Sequence, residues 1–213
     1  MGDFIADKWQ DILYHSYQHV SLVVQSVVLA TIIAILLAVL VTQVPALKST
    51  ANMISAIGLT IPSFALLGLI LPFVGIGPLP SVIAVAFYAT LPILRNAVVG
   101  LAGVSPTLLE SAKGMGMGPT TRFLRVQLPL AWPVILAGLR VSTQMSMGVA
   151  AIAAYVLGPG LGGYIFTGLS SIGGANALNY ALVGTIGVVI LALLLDALLL
   201  LVGRLTTSKG IRV

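Results

Sequence analysis

Cysteine is absent from the 213 residues, acidic residues number only five, and residues of either charge make up 7% of the chain. Without cysteine there is no disulfide framework and no thiolate metal site, and the redox compartment stays open. Five scattered carboxylates offer no paired-acid site, and no Ser–His–acid arrangement stands out, so no catalytic residue is expected. Soluble domains carry about 25% charged residues; this chain is too poor in charge to coat a water-facing surface. A soluble enzyme, a disordered tail and a nucleic-acid-binding domain are excluded at this step. What the chain has instead is 59% hydrophobic residues and a mean hydropathy of +1.14. It reads as an all-α polytopic membrane protein.

A span crossing about 30 Å of hydrocarbon needs about 20 mostly apolar residues. Five stretches qualify, near 20–44, 51–73, 81–102, 128–157 and 180–203. Lys48, Lys113, Arg122, Arg125, Arg204, Lys209 and Arg212 fall on one side of that arrangement, and only Lys8 falls on the other, among Asp3, Asp7 and Asp11. The formal charge of +5 therefore fits membrane topology rather than nucleic acid. The positive-inside bias puts the N-terminus outside and the C-terminus in the cytoplasm. Three regions follow: 1–19 as an outer-surface amphipathic helix, 20–204 as the transmembrane domain with a cytoplasmic loop at 103–127, and 205–213 as a cytoplasmic tail.

Residues 1–19 are acidic and lack a small-residue cleavage site, unlike a signal peptide. Ile5, Trp9, Ile12, Leu13 and Val20 share one helical face, and Trp9, Tyr14 and Tyr17 suit an interfacial aromatic belt. His15 and His19 stand four apart, a chelating spacing, but with no third ligand nearby they read as interfacial residues rather than a metal site. Two glycine clusters, at 114–118 and 158–163, lack the strand and later acid of a dinucleotide-binding turn. The one Lys followed by Ser, Lys48-Ser49, has Leu47 and Thr42 where a phosphate-binding loop needs glycine. If ATP drives this protein, another subunit supplies the ATP site.

The cytoplasmic loop is the most informative stretch. Ser105 is placed to cap a helix and Pro106 suits its first position. Leu108, Leu109, Ala112 and Met115 form an apolar stripe, and the glycines at 114, 116 and 118 with Pro119 end the helix. A short amphipathic helix in a cytoplasmic loop suits either a membrane surface or a soluble docking partner.

At this point the chain resembles the permease subunits of bacterial ABC importers. Their signature reads E-A-A, three residues, G, nine residues, I-x-L-P; Glu110, Ala112, Gly116, Leu128 and Pro129 stand in that register, with Ser111 for the second position and Val126 for the Ile. The stretches Thr60 to Gly68, Gly75-Ile-Gly77, Tyr88 to Gly100, Pro133 to Arg140 and Leu161-Gly162 are similar to the osmoprotectant branch. The first span departs from that branch, reading Ile35-Leu-Leu-Ala38 where an I-P-L-G turn is usual.

The resemblance implies a type I importer permease fold in a bacterial inner (cytoplasmic) membrane. It implies a coupling helix fitting a cleft in an ATP-binding subunit. The implied partners are two ATP-binding subunits, a second permease (identical or related), an extracytoplasmic substrate-binding protein and membrane lipid. ATP and Mg would be used by the ATP-binding subunits, and this chain itself would bind no cofactor and catalyse no reaction. Glycine betaine, choline or carnitine is the implied solute. An importer of methionine or phosphonate type is the alternative within the class. An ATP-independent secondary transporter is the alternative outside it; such carriers often show inverted repeats, which are not clear here.

Arg95, Arg140 and Asp196 fall inside expected spans, where an ionisable side chain is a functional hypothesis by default. Asp196 is expected to pair with Arg95 or Arg140, structurally or as part of the transport path. Pro62, Pro92 and the 158–163 run interrupt helices, and freed backbone groups at membrane depth need protein or a watery path. Thr60, Pro62, Ser63 and Asn96 are thus pathway or gate candidates, with simple helix packing as the other reading. The intramembrane aromatics are few (Phe64, Phe73, Phe87, Tyr88, Trp132, Tyr155), so recognition of a quaternary amine is expected in the binding protein.

Overall fold

The computed structural model describes residues 1–44 and 46–207. Lys209 and Arg212, and the expected tail from residue 208 onward, lie outside the described residues. Every regular element among the described residues is helical: α1 (Gly2–Gln43), α2 (Leu47–Thr60), α3 (Ser63–Val74), α4 (Pro78–Ala102), α5 (Pro106–Gly114), α6 (Pro119–Arg122), α7 (Leu128–Ala153), α8 (Gly162–Ser170) and α9 (Ala177–Thr206). A π turn, Phe123–Gln127, joins α6 to α7, and a 3₁₀ turn, Ala154–Val156, closes α7. Four helical stretches are long and apolar enough to cross a membrane; the pair α2–α3, bent by 96°, makes five if counted as one span. In lipid each backbone group must be bonded internally, which leaves helices as the economical choice for such a sequence.

α4 lies at the centre, flanked by α1 and α7. Their contact is made of small residues: Ala30, Ala34 and Ala38 of α1, Ala89 and Ala97 of α4, and Ala131 and Ala150 of α7 are all buried. Alanine at every fourth position lets helix backbones approach closely where no hydrophobic effect drives them together. The departure at 35–38 thus serves packing, since Ala38 has no exposed surface. α9 packs on the outside of this core through Val188, Leu191, Ala192 and Leu195, with Gly184 as its one fully buried residue.

The ends of the helices sort the charges. The side-chain amide of Gln127 donates to Leu101 O (3.3 Å), and Trp132 Nε1 donates to Thr206 Oγ1 (2.7 Å). These bonds, with a cavity of about 380 Å³ shared by Thr42, Gln43, Leu109, Thr120 and Arg122, bring the last turns of α1, α4 and α9 beside the start of α7. Lys48, Lys113, Arg122, Arg125 and Arg204 therefore share one end of the bundle, as the positive-inside reading requires. Asp3, Asp7, Lys8 and Asp11 share the other.

Two sequence expectations change. No break separates residues 1–19 from the first span: α1 runs unbroken for 42 residues, about 63 Å at 1.5 Å per residue. Its first turns find a protein partner, because Phe4 packs edge-on against Tyr180 (4.8 Å between ring centroids) and Asp11 accepts from the Tyr164 hydroxyl (2.6 Å). Burial, and then that carboxylate, hold the Tyr164 hydroxyl above its ordinary pKa, so it remains a donor. Pro62 breaks the second span as expected, whereas Pro92 lies inside an unbroken α4. The glycine-rich run 158–179 holds α8, which packs against α9 through glycines: a Cβ at Gly168 would fall 2.6 Å from Ala181 N, and one at Gly184 2.9 Å from Ile165 N.

His19 is fully buried, with Nε2 3.2 Å from Met147 O. Gly160 lies directly on it at φ +119°, where a Cβ would come within 2.7 Å of His19 Nδ1. His15 instead faces Asp11 (3.6 Å). The two histidines have different partners, and among the described residues no group of three potential ligands surrounds a metal position.

Candidate functional site

α5 is built as the loop sequence dictates, with two differences. Pro106 occupies its first turn, but Ser105 caps with its carbonyl, which accepts from Leu108 N (3.1 Å) and Leu109 N (3.3 Å), and not with its hydroxyl. The apolar stripe also divides. Leu109 packs with Phe123 against the core of the spans and Ala112 is 1% exposed, whereas Leu108 and Met115 turn outward at 48% and 71%. Glu110, Ser111 and Lys113 are exposed beside them. The outer face is a small apolar surface bordered by one acid and one base. The Ser111 hydroxyl folds back onto Thr107 O (2.8 Å), so the substituted position presents no unpaired polar group.

Of the three nearby glycines, Gly116 ends the helix. It adopts φ +84°, its N–H donates to Lys113 O (3.0 Å), and Met117 N donates to Ala112 O (3.1 Å). Those two bonds are the Schellman pattern, which satisfies the last carbonyls and needs a residue tolerant of the left-handed region. The rest of the signature shapes the return into the membrane. Pro129 has no N–H to give Arg125 O, and its ring would strike that carbonyl in a regular helix. The chain widens instead into the π turn that contains Val126, with Leu128 N reaching back to Phe123 O. Leu128 packs on the core, and Pro129 is exposed in the first turn of α7.

The second cluster is the break in the second span. Pro62 forces Ile61 out of the helical region: Ile61 has φ −65°, ψ 124° and Pro62 φ −63°, ψ 134°. Two consecutive extended residues turn the chain by 96°. The freed carbonyls are met locally. The Thr60 hydroxyl donates to Ile57 O (2.7 Å), Ile61 N donates to Gly58 O (3.4 Å), and the Tyr88 hydroxyl of α4 donates to Ile61 O. Tyr88 went unnoticed as a site residue in the sequence. The available signal was that a tyrosine in an apolar span must find an acceptor for its hydroxyl. Tyr88→Phe is expected to cost about 1–2 kcal/mol by stranding that carbonyl, seen as a lower thermal-unfolding midpoint of the solubilised protein. A midpoint equal to that of the unmodified chain would mean Ile61 O has another partner.

Pro62 and Thr60 are exposed and Ser63 is half-buried at this bend. Asn96 lies elsewhere. It sits at the α4–α7 seam, where a Cβ on Gly138 would fall 2.6 Å from its own Cβ, and it donates to Pro92 O (2.9 Å). The ionisable residues also separate. Arg140 forms a two-point pair with Asp196, Nε to Oδ1 and Nη2 to Oδ2, both at 2.8 Å, whereas Arg95 is exposed on α4 and outside that pair.

A family described as binding-protein-dependent transport system inner membrane component matches residues 26–208. The chain is 38% identical over 211 residues to the choline transport system permease protein OpuBB of Bacillus subtilis (strain 168), covering 98% of this chain and 94% of that one. It is 37% identical to the glycine betaine/carnitine/choline permease protein OpuCB of the same organism, covering 100% and 96%. It is 38% identical to the osmoprotectant import permease protein OsmW of Salmonella typhimurium, covering 92% of each. Among solved structures, a chain of the MetNI methionine ABC transporter in an inward-facing conformation superposes with a TM-score of 0.78 at 23% identity, covering 92% of this chain and 96% of that one. At that identity the likeness shows the fold, a type I importer permease.

Proposed function

The chain belongs to the binding-protein-dependent transport system inner membrane components, and from that premise we propose that it is the permease subunit of an ATP-driven importer for a quaternary-amine osmoprotectant: choline, glycine betaine or carnitine. The observation that carries the solute class is full-length similarity at 37–38% identity to permeases named for those solutes. The methionine-type alternative has only a shared fold at 23% identity behind it.

In this reading the basic end of the bundle faces the cytoplasm, and α5 with Glu110, Ser111, Ala112 and Gly116 docks on an ATP-binding subunit. The apolar pair Leu108 and Met115 supplies the buried contact, and Glu110 and Lys113 set its orientation. Leu109 and Ala112, the residues of α5 turned in against the spans, transmit its displacement to them, while Val126, Leu128 and Pro129 link the loop to α7. The cavity of about 380 Å³ between α1 and this loop gives α5 room to shift. The bend at Thr60, Pro62 and Ser63 is the part of this chain best suited to line or gate the path, since irregular backbone at membrane depth is tolerated beside water or protein. Asn96 acts as a packing residue.

A second permease completes the path, an extracytoplasmic binding protein delivers the solute, and two ATP-binding subunits hold ATP and Mg. This chain binds no nucleotide. The test is radiolabelled uptake by the whole complex in proteoliposomes. Choline, betaine or carnitine is expected to compete with the label and methionine to leave it unaffected. Competition by methionine alone would overturn the solute class.

A further inference from the structure

Three aromatic side chains far apart in sequence meet at the end of the bundle away from the basic segments. Phe64 lies in the first turn of α3, just past the Pro62 break; Tyr155 lies in the 3₁₀ turn that closes α7; Phe166 lies in α8. The ring centroids are 5.4 Å apart for Phe64 and Tyr155, 5.9 Å for Tyr155 and Phe166, and 6.4 Å for Phe64 and Phe166. Phe64 meets Tyr155 at 79° and Phe166 at 87°, an edge-to-face arrangement in which one ring's electron-rich face meets another's edge.

The cluster is not core. Phe64 is 48% and Tyr155 65% exposed. The turn that presents Tyr155 is nonetheless held firmly. Val156 is buried with Leu67, Ala84 and Ala153, and its carbonyl accepts from Gly77 N (2.9 Å). Leu157 ends the turn at φ +62°, the one non-glycine with positive φ among the described residues. A bulky residue in that region costs about 1–2 kcal/mol, and such strain persists where the surroundings over-determine it and tends to cluster at functional sites. The charge environment points the same way. The basic side chains of the loops lie at the opposite end, and Asp3, Asp7 and Asp11 outnumber Lys8 at this one.

We propose that Phe64, Tyr155 and Phe166 form a cation–π station in the permease itself, receiving the quaternary ammonium group of the solute as it leaves the binding protein. The proposal rests on the quaternary-amine reading and deepens it: recognition is shared between the binding protein and a ring cluster at the mouth of the path. A quaternary ammonium has no N–H to donate, so hydrogen-bond acceptors gain little from it. It does gain from a ring face within about 6 Å, which exposed rings at this mouth offer.

The experiment uses the assembled importer in proteoliposomes with saturating, solute-loaded binding protein. F64L/Y155L keeps apolar bulk and removes two π faces; it is expected to lower maximal choline uptake about tenfold, while Y155F stays within about twofold of the unmodified importer. A second measurement does not depend on transport. With 4-fluorophenylalanine at position 64 of the complex, the ¹⁹F resonance is expected to shift on adding choline chloride and to stay put with its neutral isostere 3,3-dimethylbutan-1-ol. An importer that takes up no quaternary amine sinks the functional reading. An unmoved ¹⁹F signal, or F64L/Y155L uptake at the unmodified rate, overturns the station whatever the solute proves to be.

Discussion

Replacing Asp196 by asparagine is expected to lower the amount of assembled complex about tenfold, equivalent to about 1.4 kcal/mol, with apparent solute affinity changed less than about twofold. The side chains of Arg140 and Asp196 are 33% and 16% exposed, and the carboxylate lies about 15 Å along α9 from its end at Thr206. A two-point guanidinium–carboxylate pair satisfies both groups together, and removing one partner strands the other's charge in a poorly solvated place. Full burial would make that loss about 3–5 kcal/mol; partial exposure, and the hydrogen bond asparagine can still accept, reduce it here.

The location makes the loss matter for assembly. α9 buries one residue fully and otherwise meets the core through half-buried Val188, Leu191, Ala192 and Leu195, so its placement against α7 depends strongly on the specific contacts: this pair, the Trp132–Thr206 bond, and Gly203 lying against Leu136. R140L/D196L, which removes both charges, is expected to recover most of the assembly, since apolar replacement of a buried pair is often neutral. Co-purification of the ATP-binding subunit with tagged permease measures assembly, and uptake per assembled complex measures function. Normal assembly of D196N with altered solute selectivity would place the pair in the path instead.

Substituting Gly116 by valine is expected to leave the permease in the membrane at normal levels while uptake falls at least about tenfold. At φ +84° a β-branched residue is a strong outlier. Relaxing that strain would break the bonds from Gly116 N to Lys113 O and from Met117 N to Ala112 O. The last turn of α5 would then fray, and with it the placement of Met115 and Lys113 on the docking face. Asparagine visits the left-handed region more readily than other side chains, so G116N is expected to retain more uptake than G116V. Nothing within 4 Å opposes a Cβ there, which makes backbone conformation the deciding term. Equal uptake by G116V and the unmodified importer would show that α5 need not end at this residue.

Much of this was legible in the chain itself because it depends on local properties. Hydropathy marks the spans, since each long apolar run must satisfy its own backbone in lipid. The basic residues mark a common end, and the register of Glu110, Gly116 and Pro129 marks the loop. Pro62 announces a break, because a proline constrains the residue before it wherever it occurs. None of these needs knowledge of which helix lies beside which.

What tertiary structure alone decided is the set of pairings across distance. Asp196 had two arginines within plausible reach, and only the packing of α7 against α9 selects Arg140. The amphipathic start of α1 could have rested in the lipid interface, but Tyr164 and Tyr180 lie where Asp11 and Phe4 reach them. Tyr88 looked like an ordinary apolar residue until the α2–α3 bend brought Ile61 O to its hydroxyl. The aromatics were too few to count as a recognition surface in sequence, yet Phe64, Tyr155 and Phe166 converge because the start of α3 and the turn closing α7 meet the middle of α8. The physical reason is common to all four. Local preference depends on neighbours along the chain and can be read from order, whereas contact energy depends on faces brought together by closely packed alanines and glycines, and many arrangements of the same spans satisfy the local rules equally well.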